Sequence, residues 1–209
     1  MPVASRQEAA QALNRMTSGR NTALLLSSGI PFRFHDLPIT EENERMGKRI
    51  ISRKYPLVII VGKESFGEAS KIVRVGLGMR VSGSMADLST FQRVYKESFR
   101  SPELRMTLRN KARIPKIFAI VNIDSSTILA WRDPRDLAWL RSLIQSRVNS
   151  GLITILCCVR KFRDESMASF LGPVNTPVLA EAKMIRLKEK SDGENRRTVH
   201  NENTERTKK

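Results

Sequence analysis

LVIIV (residues 57–61) and IVRVGLGMRV (residues 72–81) are the two stretches on which the fold turns. The first is an apolar, mostly β-branched run entered through Pro56, the pattern of a buried strand. In the second, Val73, Val75, Leu77, Met79 and Val81 alternate with Ile72, Arg74, Gly76, Gly78 and Arg80. A period of two predicts a one-sided strand with a basic, wet outer face. Downstream, KIFAIVNI (116–123) and TILAW (127–131) flank Asp-Ser-Ser and predict a hairpin, and LITILCCV (152–159) predicts a fully buried strand.

Helices are punctuated between these runs. SGSMADLS (82–89) turns into a helix near 87–99, and Ser101-Pro102-Glu103 opens another near 102–110. Asp133 as N-cap, Pro134 at the first helical position and Asp136 three residues after the cap start a helix carrying Leu137, Leu140, Leu143, Ile144 and Val148, which Gly151 stops. Thr40 to Arg53 reads as a helix with Glu41, Glu42 and Glu44 at its start and Arg45, Lys48, Arg49 and Arg53 following, which suits the helix dipole. SRQEAAQALNRM (5–16) has a capping-box start at Ser5 and Glu8, whereas TALLL (22–26) reads as strand or helix. The expected fold is α+β: a single mixed domain with a small sheet packed by helices. An N-terminal helical arm (1–55) precedes the core (56–187), and a disordered, basic tail (188–209) follows it.

Charge narrows the partners. The 209 residues hold 37 Lys and Arg against 21 Asp and Glu, a net charge of +16. A chain that accepts that self-repulsion is expected to meet a polyanion, either RNA or ribonucleoprotein, or an anionic membrane surface. Between Arg93 and Lys116 lie eight basic residues and two acids, and on a helix Arg105 and Arg109 share a face. Lys48, Arg49, Arg53 and Lys54 form a second basic candidate. The polyanion surface is assigned to Lys48, Arg49, Arg74, Arg80, Arg105, Arg109, Lys111 and Arg113. Aromatics are 6% of the chain, which favours backbone charge contacts over base stacking.

Catalytic motifs are not apparent. Gly62, Lys63 and Gly67 follow a strand, but a phosphate loop needs its lysine after the second glycine. Gly76 and Gly78 lack the third glycine of a dinucleotide fingerprint, lie within the predicted strand and suggest close backbone approach or a bulge instead. His35 and His200 have no spaced Cys or His partners, so no metal and no cofactor are expected. Asp124, Asp133, Asp136 and Asp164 read as turn or cap residues, and Trp131 and Trp139 as core or an exposed anchor. Cys157 and Cys158 are adjacent in a strand, point to opposite faces and read as two buried hydrophobes in a reducing compartment. No apolar run spans a bilayer, the start has no signal-peptide h-region, and Pro2 stands where myristoylation needs Gly. The expected setting is the cytoplasm or nucleus of a host cell, or a virion.

One stretch carries a family resemblance. VRVGLGMRVSGS (73–84) followed by RVYKESF (93–99) resembles the central strand-turn-helix of rhabdovirus matrix proteins through Val75, Gly78, Ser82, Gly83, Ser84, Val94, Tyr95 and Lys96. The chain departs from that family in lacking PPxY and PTAP, and Tyr55-Pro56-Leu57-Val58 only approximates a YPxL motif. The resemblance implies a non-enzymatic structural protein that self-associates as a homo-oligomer and bridges anionic lipid to a nucleocapsid. A nucleic-acid-binding accessory protein, such as a viral movement, silencing-suppressor or nucleocapsid-like protein, is the alternative. An enzyme acting on nucleic acid is a third class.

Overall fold

The computed structural model describes residues 22–53, 55–124, 127–128, 133–159, 169–175 and 182–187. Three apolar runs form the middle of one sheet. β4 (Ile153–Cys158) lies between β1 (Leu57–Val61) and β3 (Ile117–Ile123), with β2 (Gly83–Asp87) and β5 (Lys183–Arg186) at the edges. All four pairings are parallel. Parallel neighbours require crossovers, and crossover helices cover both faces of the sheet, so its middle strands read as unbroken apolar runs. The mixed single domain with a small sheet packed by helices is therefore present. The calls on residues 5–16, Lys54, Trp131, Asp164, His200 and the tail from 188 lie outside the described residues.

Two cores follow from the pleat. Leu57 and Ile59 of β1 face one core, Val58 and Ile60 the other. Cys157 and Cys158 divide in the same way, and both are free and buried. Burial pushes the Cys157 thiol well up and the Cys158 thiol up to about 12, so both stay protonated and inert at neutral pH.

The stretch 72–81 is a helix for most of its length, not a strand: α3 runs Ser65–Gly78. Ala69, Ile72, Val73 and Gly76 recur at helical spacing and are buried. The alternation of valines arises because α3 is covered from a second side, by α2 (Glu41–Arg53). A Cβ on Gly47 of α2 would meet Val75 Cγ1 at 2.9 Å, and one on Gly76 would meet Ile117 Cδ1 at 2.5 Å. Close approach is thus the right reading of Gly76, but to a neighbouring strand from a helix. The matrix-type strand-turn-helix is lost with the strand: Val75 and Gly78 are helical, and Gly83 and Ser84 belong to strand β2.

Helix α3 ends in a Schellman arrangement. Val81 N donates to Gly76 O at 2.9 Å, Arg80 N donates to Leu77 O at 3.0 Å, and Arg80 sits at φ 60°. A side chain in the left-handed region costs about 1–2 kcal/mol. Glycine at this position has its own entropy cost, so Arg80→Gly is expected to stabilise the protein by roughly 0.5–1 kcal/mol in urea unfolding.

The predicted hairpin after β3 does not form as drawn. Thr127 N donates to Asp124 Oδ1 at 2.7 Å, Asp124 N donates to Thr127 Oγ1 at 2.9 Å, and residues 127–128 are helical. On that side of the sheet lie α4 (Leu88–Ser98), α5 (Pro102–Leu108), a π-helix (Arg109–Arg113) and α6 (Pro134–Asn149). The caps read from sequence hold: Ser101 Oγ accepts from Leu104 N, Asp133 accepts from Arg135 N, and Pro102 and Pro134 stand in the first turns. Residues 22–27 form a short helix, α1.

Candidate nucleic-acid interface and phosphate turn

Helices α4, α5 and α6 and the π-helix enclose a groove of about 650 Å³ whose walls differ in chemistry. One wall is aromatic. Tyr95 and Trp139 stack at 4.0 Å and 22°, and Phe99 meets Tyr95 edge-on at 5.0 Å. Phe99 sits one helical turn after Tyr95 and remains 65% exposed. The groove is also lined by Arg105, Arg109 and Arg113, spaced four residues apart across α5 and the π-helix, with the apolar Met106, Leu108 and Ala112 among them. All three arginines and Lys111 are exposed, and among the described residues none of the four meets a carboxylate.

The aromatic wall is fixed by polar contacts beneath it. Asp136, 5% exposed, takes the Lys96 ammonium at 3.1 Å and Gln92 Nε2 at 3.2 Å, tying α6 to α4. Burial, with the nearby Asp136 and Asp133 carboxylates, raises the Tyr95 phenol above its ordinary range, and the ring is itself buried against Trp139. The arginine wall is fixed from behind. Ser84 Oγ donates to the Lys111 carbonyl, and Arg147 donates to the Ala112 carbonyl at 2.6 Å and the Pro115 carbonyl at 3.1 Å.

The other basic residues serve varied ends. Lys48 pairs with Glu44 at 2.5 Å on the exposed face of α2, beside an exposed Arg49. Arg74 spends one nitrogen on the carbonyls of Phe34 at 3.2 Å and Leu37 at 2.5 Å, and burial lowers its pKa. Arg80 is exposed at the end of α3. Within the 93–116 stretch, Arg93 meets Glu97 at 3.5 Å and Lys116 donates to the Gly151 carbonyl at 2.5 Å. The structure thus brings Arg105, Arg109 and Arg113 to one groove and leaves Lys48 and Arg49 on α2. Sequence reading missed the aromatic partners. The available signal was Tyr95 and Phe99 one turn apart, with arginines at four-residue spacing close behind.

A second place is set by topology. Ligands of open parallel sheets gather outside the carboxyl ends of strands where the strand order switches, and β1, between β4 and β5, is such a strand. It runs into Gly62-Lys63-Glu64 and then α3, a strand-turn-helix with Gly62 and Gly67 at phosphate-loop spacing. Gly62 adopts φ 137°, which only glycine takes readily. The residues after the second glycine are Glu68 and Ala69.

No family model matches the sequence, and no curated protein matches it. Solved structures do match in fold. Domain III of the Thermotoga maritima replication initiation protein DnaA aligns at TM-score 0.58 and 12% identity, covering 78% of this chain and 67% of that one. A DNA replication initiation factor aligns at 0.55 and 8%, over 79% of this chain and 51% of that one. DnaA bound to AMPPCP and single-stranded DNA aligns at 0.51 and 10%, over 73% and 49%. The chain spans about half the length of these last two structures.

These likenesses show a fold shared with solved DnaA replication-initiator domains and overturn the rhabdovirus-matrix resemblance. The non-enzymatic viral structural reading falls with it, because the fold is that of DnaA structures, one of them solved with AMPPCP and single-stranded DNA. Nothing in the likeness supports a membrane partner, and no described helix is long and apolar enough to cross a membrane.

The nucleotide that this fold class implies is tested by the residues of the β1–α3 turn, and they do not fit it. A P-loop holds phosphates with open backbone amides, a lysine after its second glycine, a Ser or Thr on Mg²⁺, and a strand-end Asp. Here α3 begins before the second glycine. Ser65 N donates to Gly62 O and Glu68 N to Glu64 O, both at 3.0 Å. Glu68 stands in the lysine's place, Ala69 in the Ser/Thr place, and Asp124 at the end of β3 is engaged with Thr127.

Proposed function

We propose that this chain is a nucleic-acid-binding domain on a replication-initiator-like AAA+ fold, contacting the polyanion through the α4–α5–π-helix–α6 groove. The observation that carries the reading is the lining of one groove by three arginines together with three aromatic rings: Arg105, Arg109 and Arg113 with Tyr95, Phe99 and Trp139. Guanidinium groups meet phosphates bidentately, and aromatic faces accept bases without regard to sequence. The net charge of +16 supplies long-range attraction. A solved neighbour recorded with single-stranded DNA supports the same class of partner.

The wall chemistry favours single strands, whose bases are open to stacking. With labelled oligonucleotides of equal length, single strands are expected to bind more tightly than duplex, and to quench tryptophan fluorescence through Trp139. The slope of log K against log salt is expected near −2, about 0.7 per phosphate for the three groove arginines. Binding that ignores salt, or quenching without binding competition, would remove this groove from consideration. Self-association is checked on the same sample by light scattering.

A further inference from the structure

We infer that the β1–α3 turn takes no nucleoside triphosphate and instead clamps the chain's own segment from Pro31 to Asn43 onto α3. The clamp has a polar half built around Glu68. Its carboxylate, on a residue 8% exposed, accepts Asn43 Nδ2 at 2.6 Å and Lys71 Nζ at 3.2 Å. Asn43 is also half of the cap of α2: its N–H donates to Thr40 Oγ1 at 3.2 Å, and its Oδ1 accepts Thr40 N at 3.3 Å. The start of α2 is thereby tied to the first turn of α3 through one side chain.

An apolar half lies beside it. Phe34 packs on Phe66 at 4.6 Å, with the Arg33 guanidinium over both rings. A Cβ on Gly67 would touch Leu37 at 3.4 Å, so Leu37 covers the second glycine. Arg74, two turns along α3, takes the Phe34 and Leu37 carbonyls and closes the clamp. The first glycine is covered as well: a Cβ on Gly62 would meet Leu187 Cβ at 3.0 Å.

Charge and space therefore argue in one direction. A polyphosphate at this turn would face the Glu68 carboxylate, while Lys71 is already spent on it. The remaining cation of the turn, Lys63, is exposed to solvent.

The test uses the full chain in thermal melts with and without Mg·ATP. A ligand at a hundredfold excess over its Kd raises the Tm of a domain of this size by about 5–10 °C. The expected result is a shift under about 1 °C with millimolar Mg·ATP or Mg·ADP. Glu68→Gln and Asn43→Ala are expected to lower Tm by several degrees each. The double variant should lose less than the sum, because the two share one bond. A nucleotide-induced rise that Lys63→Ala abolishes would overturn the inference, and so would additive losses in the double variant. Oligonucleotide binding through the groove is read separately and does not depend on either outcome.

Discussion

Arg147→Met is expected to destabilise the protein by about 3–5 kcal/mol, the largest single-residue effect we anticipate. Arg147 on α6 is 1% exposed and among the described residues meets no carboxylate. Its cation is dissolved in carbonyls instead. Nη1 donates to Ala112 and Pro115, Nη2 to Ile153 at 2.7 Å and Lys116 at 3.4 Å, and Nε to Thr154 Oγ1 at 3.1 Å. Phe118 lies beneath the guanidinium at 5.4 Å. Burial lowers its pKa to about 10.

The sign of that shift fixes its pH signature. A base with a lowered folded pKa loses its proton sooner in the folded state, so stability from this group rises with pH only above about 10, up to the higher pKa of the unfolded chain. At neutral pH both states carry the charge, and the variant reads the loss of a full cation. Methionine fills much of the volume but leaves several buried carbonyls without donors, each costing about 1–3 kcal/mol. Tm should fall by about 10 °C or more. Arg147→Lys should recover only part, because an ammonium lacks the planar fork that reaches the π-helix, the Pro115 and Lys116 carbonyls and β4 together. Urea unfolding of the three proteins checks this, and equal stability of the Met and wild-type forms would refute it. The Ala112 and Pro115 carbonyls close the π-helix that carries Arg109 and Arg113, so the Met variant should also weaken oligonucleotide binding without touching the groove.

Much of the sheet was legible because its central strands obey a composition rule. LVIIV, IFAIVNI and ITILCC are covered on both faces, and apolar residues dominate there, with Asn122 and the buried Thr154 as the exceptions. The caps at Ser101 and Asp133 were legible because a cap is a local bond between near neighbours in sequence. The stretch 72–81 misled for the opposite reason. A helix pressed between a sheet and another helix is apolar on more than one side, and Val73, Val75 and Leu77 then mimic a strand's alternation. β2 was hidden in Gly83-Ser84-Met85-Ala86-Asp87, a composition that reads as a turn. Small residues stand there because α3 lies close: a Cβ on Gly83 would press on Val73 Cγ1 at 2.8 Å. The groove was half legible. Its arginines repeat at four-residue spacing, but Trp139 reaches them from a helix that begins twenty-one residues after Arg113, and only the tertiary fold joins the two.

Reversing Arg105, Arg109 and Arg113 together to Glu is expected to lower affinity for a single-stranded oligonucleotide about a hundredfold. Exposed ionic contacts are worth near the top of the usual surface range, about 1 kcal/mol each, and three lost contacts give that factor. The salt slope should flatten by about 2 at the same time, because fewer counterions are released. The slope separates groove contacts from general repulsion, since reversed charge anywhere on a basic protein weakens association somewhat. Lys48→Glu with Arg49→Glu is the matched control. α2 packs on the sheet face opposite the groove, beside the core that holds Val58 and Ile60, and Lys48 is already partnered by Glu44. Those changes should leave the slope intact and cost a few-fold at most. If the α2 pair instead takes the larger loss and the groove triple leaves the slope unchanged, the polyanion lies across α2. The aromatic wall of Tyr95, Phe99 and Trp139 would then have to be explained by an apolar partner.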